Sequence, residues 1–237
     1  NTGETAKRIS AQNSQSNHNK TVTTFNAHTY YEKDLINLIK SGSEWFGEVF
    51  DLKTSYDFTF NFPNADLSAP LHIDYSVAAR AGSISEFTFS AMGTSNVASI
   101  GSVNLSSYTG TYAKTKRNSF STTLTGNLVN ATLSYNKPSS VATGWLNEIE
   151  LNARRKLIMH GNQLFYRDVN TVGTGNVAAF NLAGSSNSVH KIWDITDPFN
   201  VKEQEVFFAA NTHSYSVATS SLKEFVAFNT NYDTQLF

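Results

Sequence analysis

The feature that most constrains this chain is a two-residue alternation of apolar and polar side chains that keeps returning after Tyr56. Tyr56, Phe58, Phe60 and Phe62 alternate with Asp57, Thr59 and Asn61. Leu71, Ile73, Tyr75, Val77 and Ala79 alternate with His72, Asp74, Ser76 and Ala78, and Phe87, Phe89 and Ala91 mark a third run. Successive side chains of a strand point to opposite faces, so each run predicts a half-buried strand. Pro63-Asn64, Lys137-Pro138-Ser139 and Thr196-Asp197-Pro198 punctuate the runs as turns. Val97, Ile100 and Val103 predict weaker strands. Phe120–Thr125 and Ala131–Tyr135 predict a pair joined around Asn127. Ile149, Leu151 and Ala153 share one face of a further strand, with Glu148, Glu150, Asn152 and Arg154 on the other. Gly161-Asn162, between apolar runs at 156–159 and 164–167, predicts a tight hairpin, because glycine takes positive φ cheaply. Residues 177–182, 189–195, 205–210, 214–218 and 225–228 continue the pattern. The expected fold is mainly β, a large antiparallel sandwich of jelly-roll type.

One stretch breaks the period. In Tyr30–Leu52, the positions of Leu35, Ile36, Leu38 and Ile39 suit one stripe of a helix. Thr29 followed by Glu32 fits a capping box, Lys40 suits the negative end of the helix dipole, and Gly42 suits a left-handed stop. One short docking helix near 30–41 is therefore expected, plugging the sheet domain, or else presented to a partner. Trp45, Phe46, Val49 and Phe50 follow within six residues and are expected in the core, Trp45 included. The organisation expected is a polar segment at 1–24, with a short strand near Lys7–Ser10. A single sandwich then covers 25–230, and a linker begins at 231–237. Pro138–Gly144 is the one internal break worth considering.

Composition narrows the function. The 237 residues are 40 % hydrophobic, with a formal net charge of −1, so nothing demands a nucleic-acid partner. Lys114-Thr115-Lys116-Arg117 and Arg154-Arg155-Lys156 read as solvated strand ends. No apolar run approaches the roughly 18 residues of a membrane span. Cysteine is absent, which removes disulfides, thiolate metal sites and a cysteine nucleophile from this chain. The chain opens at Asn1 without a signal-peptide pattern and reads as a mature or excised fragment. The six histidines are scattered, with neither H-x-H nor H-E-x-x-H spacing, and no G-x-S-x-G occurs. Glu148 and Glu150 lie on one strand face, but a glycosidase needs two acids opposed across a cleft. Asp194 and Asp197 flank the turn in WDITDP and are weak calcium candidates, since calcium takes six to eight oxygens. The sequence asks for no cofactor. Sugar-binding sandwiches stack rings on their ligands, and Trp145, Tyr166 and Trp193 are the residues such a ligand or partner surface would use. Core packing of the same rings is the competing reading.

Three separated motifs carry a family resemblance: YYEKDLINLIKSGSEWFGEVF at 30–50, WLNEIELNARRKLIMHGNQLFYRD at 145–168, and IWDITDPFNV at 192–201. In this order and spacing the chain resembles the β-rich N-terminal region of the type IX secretion sortases (the PorU family), which are gingipain-type cysteine peptidases. The resemblance implies an accessory domain ahead of a peptidase domain that carries the catalytic His and Cys. It implies a parent that removes C-terminal signals from exported proteins and links them to surface lipopolysaccharide. It also implies an exported location at the outer membrane or cell surface. The partners implied are the downstream peptidase domain of the same polypeptide, secreted cargo and other secretion-system proteins. None of the family's catalytic residues has a matching position here. A carbohydrate- or lipopolysaccharide-binding module is the alternative expectation.

Overall fold

The computed structural model describes residues 8–40, 44–107 and 109–229. Two short strands come first, β1 (Ser10–Gln12) and β2 (Lys20–Val22). They are followed by β3 (Thr24–Glu32), β4 (Val49–Phe50), β5 (Ser55–Asn61), β6 (Pro70–Arg80), β7 (Ser85–Ala91) and β8 (Thr94–Ile100). Next are β9 (Lys114–Thr123), β10 (Leu128–Asn136), β11 (Thr143–Lys156) and β12 (Gln163–Arg167). The chain closes with β13 (Val177–Ala183), β14 (Lys191–Asp194), β15 (Lys202–Gln204), β16 (Phe207–Ala209), β17 (Thr212–Ala218) and β18 (Glu224–Phe228). A 3-10 turn, Val169–Thr171, follows β12. The contacts divide the chain into two compact units, where the sequence suggested one sandwich over 25–230. One unit is 28–154; the other joins 1–27 to 155–237.

The 28–154 unit is a sandwich of two sheets, with strand orders β5-β10-β7-β8 and β3-β11-β6-β9. The alternation read from the sequence is its core. Leu71, Ile73, Tyr75 and Val77 of β6 are fully buried, as are Phe87 and Phe89 of β7. Rings meet across the sheets, Tyr75 on Phe89 at 5.0 Å and Phe89 on Phe120 at 5.8 Å. Burying each such side chain contributes roughly 1.5–3 kcal/mol. The other unit repeats the plan with sheets β1-β15-β14-β18-β12 and β16-β17-β13-β2. Its core is a cluster of rings, with Phe180 4.9 Å from Phe225 and Tyr215 5.1 Å from Phe225. The polar N-terminal stretch supplies the edge strands β1 and β2, which pair in parallel with β15 and β13. Val22 and Phe25, both buried, anchor it. Lys7 lies outside the described residues, and so does the expected linker at 231–237.

The helix expected near 30–41 is absent among the described residues; β3 runs through Tyr30, Tyr31 and Glu32 instead. Thr29 and Glu32, read as a capping box, are strand residues. The override comes from the residues before them: Phe25 and Ala27 are buried at strand spacing, and β3 carries that period onward. After β3 the chain forms a narrow hairpin. Ile36 and Phe46 exchange backbone hydrogen bonds of 2.8 and 2.9 Å, and they form an isolated antiparallel bridge. Gly42, assigned a helix stop from the sequence, lies outside the described residues. The adjacent aromatics separate: Phe46 is 2 % exposed and Trp45 is 44 % exposed. Neighbours in an extended chain point to opposite sides, so only one of the two can reach the sheet.

Two local pairings also differ from the sequence reading. Strands β9 and β10 do not form a hairpin; β9 pairs with β6, and β10 pairs with β5 and β7. Asn127 sets this arch. Its carbonyl accepts the Phe62 N–H at 2.7 Å and its Oδ1 accepts the Ala65 N–H at 3.1 Å, so the turn is tied to the end of β5. Likewise the Gly161 turn exists, with φ +68°, but its flanks do not pair with each other. Leu157 donates to Thr23, Ile158 bridges Ala183, and β12 goes on to pair with β18.

Three substitutions test this description. Trp45→Ala is expected to cost under about 1 kcal/mol, the cost of a surface change. Gly161→Val, forced to a positive φ, is expected to lower the melting temperature. Ala210 sits at φ 49° in the β16–β17 turn, so Ala210→Gly is expected to add about 1 kcal/mol in denaturant unfolding.

Candidate functional site

Strand β11 is where the sequence builds something other than core. Opposite β6, Trp145 faces Ala78 and Leu146 faces Val77, but Glu148 faces Ser76. One extra residue, Asn147, is inserted, a β-bulge that reverses the facing of everything before it. Leu146, Ile149 and Leu151 then all point into the sandwich, fully buried. Trp145 is turned to the outer face, where it packs with Ala78 and Phe46. The hairpin lies over this ring, with Ile36, Leu38 and Val49 against the same cluster.

The arms of the hairpin approach closely at Gly47. A Cβ there would lie 3.1 Å from the Lys33 Cβ and 3.2 Å from its carbonyl oxygen. Beside it, the Glu48 Oε1 accepts from the Lys33 ammonium at 2.9 Å and from the Tyr31 hydroxyl. Burial and the bond to Glu48 push the Tyr31 phenol upward. The Lys33 ammonium is held above its usual range by its contacts with Tyr31 and Glu48. The Glu48 Oε2 is buried without a partner.

On the outer side of the hairpin, an open cleft of about 470 Å³ is lined by Glu32, Asp34, Glu44, Trp45, Asn147 and Glu148. The Asn147 amide donates to Glu44 Oε1 at 3.2 Å. Four carboxylates and an exposed indole thus share one concavity, with no lysine or arginine in its lining. Such a lining attracts cations, through charge and through the face of the ring. It provides no nucleophile–base pair. The Glu148–Glu150 pair noted in the sequence is bridged by Arg117, at 2.5 Å and 3.2 Å, so a guanidinium fills the space between the acids.

The residues singled out from the sequence lie elsewhere. Trp145 is 6 % exposed and Tyr166 3 %, so neither ring presents a face to solvent. The Tyr166 hydroxyl is 2.8 Å from that of Tyr215, and its ring stacks on Phe225 at 5.6 Å. Trp193 is half-buried and stands edge-on to Phe228 at 4.7 Å. Asp194 is buried; its Oδ1 caps the Thr196 N–H at 3.0 Å and its Oδ2 lies 3.4 Å from the Lys223 ammonium. Asp197 accepts from the Phe199 N–H and from the Asn200 amide, as a turn former does. Among the described residues no three His, Asp or Glu side chains converge on a metal-sized space. His213, buried, meets the Ser185 carbonyl at 2.9 Å. Trp45 is the functional candidate that the sequence reading missed. The available signal was the Trp-Phe dipeptide itself, since an extended pair buries one ring and exposes the other.

Comparison with known proteins adds the fold's relatives. No family model matches the chain, and no curated protein matches it by sequence. Among solved structures, the chain is similar to dimeric latent PorU from Porphyromonas gingivalis. The TM-score is 0.79 at 16 % identity, over 94 % of this chain and 22 % of that one. A CBM36 module in complex with calcium and xylotriose aligns over 53 % of this chain and 98 % of its own, at 10 % identity and TM-score 0.33. The CBM36-1 domain of a xylanase from the hindgut metagenome of Trinervitermes trinervoides aligns over 53 % and 96 %, at 7 % identity and TM-score 0.36. Both of these likenesses are too slight to carry a function. No helix among the described residues is long and apolar enough to cross a membrane. The fold of this chain is thus a β architecture shared with about a fifth of PorU's length.

The buried tyrosine pair supports a prediction. Burial raises both phenols, Tyr215 well above its ordinary value, because the ionised form is disfavoured inside the fold. The folded pKa values lie above the unfolded value of about 10. Stability from this pair is therefore intact below about pH 10 and is lost as pH rises through the folded values. Tyr166→Phe leaves the Tyr215 hydroxyl unpaired and is expected to cost about 1–3 kcal/mol. The double change to Phe at 166 and 215 is expected to recover part of the loss and to flatten the alkaline decline, measured by urea unfolding across pH.

Proposed function

We propose that this chain is the non-catalytic N-terminal accessory region of a gingipain-type sortase of type IX secretion. In this reading the parent is exported and held at the outer membrane or cell surface. It removes C-terminal signals from secreted proteins and attaches them there. The accessory region packs on the peptidase domain that follows it, and helps present cargo or engage other secretion-system proteins. The observation that carries the reading is the likeness to PorU over 94 % of this chain and 22 % of that one. The three sequence motifs and the absence of cysteine from this chain agree with it. A fold alone never assigns a function, so the reading stands on its test.

The alternative, a glycan-binding module built on Trp145, Tyr166 and Trp193, asks for those rings to be exposed. Trp145 and Tyr166 are buried, and Trp193 is half-buried. The accessory reading is therefore preferred.

The experiment mixes the purified chain with the separately expressed downstream region of the same gene. The expected outcome is a stable one-to-one complex by analytical ultracentrifugation, with the downstream region more active in the complex than alone. A downstream region that ignores this chain, and is fully active without it, would reject the accessory role.

A further inference from the structure

The hairpin that covers Trp145 packs only some of its large apolar side chains on the sheet. Its inner face, Ile36, Leu38 and Phe46, packs on the sheet. Its outer face exposes Leu35 at 64 %, Ile39 at 62 % and Trp45 at 44 %. These large apolar side chains of one short hairpin cost solvation and contribute nothing to the core. Exposed apolar groups gathered in one place, unlike single scattered ones, mark contact surfaces. Tryptophan is the residue type most enriched at the energetic centres of such surfaces.

The surroundings of Trp45 select the partner. Its cleft is lined by Glu32, Asp34, Glu44 and Glu148, of which Glu148 is already paired with Arg117. The nearby cations are already engaged: Lys33 with Glu48, and Arg117 with Glu148 and Glu150. An anionic bilayer would be repelled by this lining. A lysine or arginine fits it, because the aliphatic stem can lie along the indole while the charged head reaches the carboxylates.

We propose that the carboxylate-lined cleft at Trp45, with Glu32, Asp34 and Glu44, docks an extended basic segment of a partner protein, with the exposed Leu35 and Ile39 of the same hairpin offered to its apolar residues. The segment carries Lys or Arg interleaved with apolar residues. The proposal rests on this chain's own surface, and it holds whether or not the accessory-region reading does.

The test titrates the full chain with a fluorescently labelled peptide of alternating lysine and leucine flanked by glycines. The control replaces every lysine by glutamate. The lysine peptide is expected to bind saturably, and at least about tenfold more tightly than the glutamate peptide. Its affinity is expected to fall as salt is raised. Trp45→Ala and Glu44→Gln are each expected to weaken it several-fold without moving the melting temperature. Absence of saturable binding overturns the proposal, as do equal binding of both peptides or an unchanged affinity in folded Trp45→Ala. A concentration-dependent dimer that Trp45→Ala abolishes would reassign the face to a second copy. Co-sedimentation with phosphatidylcholine–phosphatidylglycerol vesicles that Trp45→Ala abolishes would reassign it to lipid, and either result overturns the basic-segment occupant.

Discussion

The structure of the 28–154 unit depends on one inserted residue. Asn147 puts β11 out of step with β6 between Leu146 and Glu148. Without it, Trp145 would be on the inward side with Ile149 and Leu151, in a core already filled by large rings. With it, Leu146 faces inward and Trp145 faces out, onto Ala78. An indole on the outer face of a sheet is costly unless covered, and the cover is the hairpin carrying Phe46. The cleft follows from the same event, since Asn147 and Glu148 of the bulge form one wall and the hairpin forms the other. Bulges often re-aim side chains where a sheet meets a site, and this one does so through a single residue.

The strands were legible where side-chain burial alternates strictly. Strands β5, β7 and β10 show their cores directly in the sequence, because a two-residue period has one physical cause. The segment at 30–41 was illegible for an equally physical reason. Leu35, Ile36, Leu38 and Ile39 fit a helical stripe, but two of the four, Leu35 and Ile39, are largely exposed. Their spacing reflects a hairpin that uses one side for cover and leaves the other free. Pairing was the other weak point. The turns at Asn127 and Gly161 were visible as turns, yet whether a turn closes a hairpin or crosses to the opposite sheet depends on distant partners. Those partners, Phe62 and Ala65 for Asn127 and Thr23 and Ala183 near Gly161, are remote in sequence. Of the rings chosen for a binding surface, Tyr166 is core, Trp145 is covered by the hairpin on the outer face, and Trp193 is half-buried. Trp45 lay in the one segment whose conformation the sequence misstated, so its exposure went unseen.

For function, these features separate scaffold from surface. Many of the aromatic side chains fill the two cores, and the acids near β11 and β14 are tied into Arg117, Lys223 and turn N–H groups. Beside them, a carboxylate-lined cleft lies next to an exposed indole, Trp45.

The central claim is that Phe46 and Trp145 form one energetic unit created by the bulge. It is tested most directly by a double-mutant cycle, with Phe46→Ala, Trp145→Ala and the combined variant unfolded in urea. Each single change removes the partner of the other, so the account predicts losses that fall short of additivity by about 0.5–3 kcal/mol. Losses that simply add would mean that the hairpin and the outward tryptophan are stabilised independently, and would contradict it.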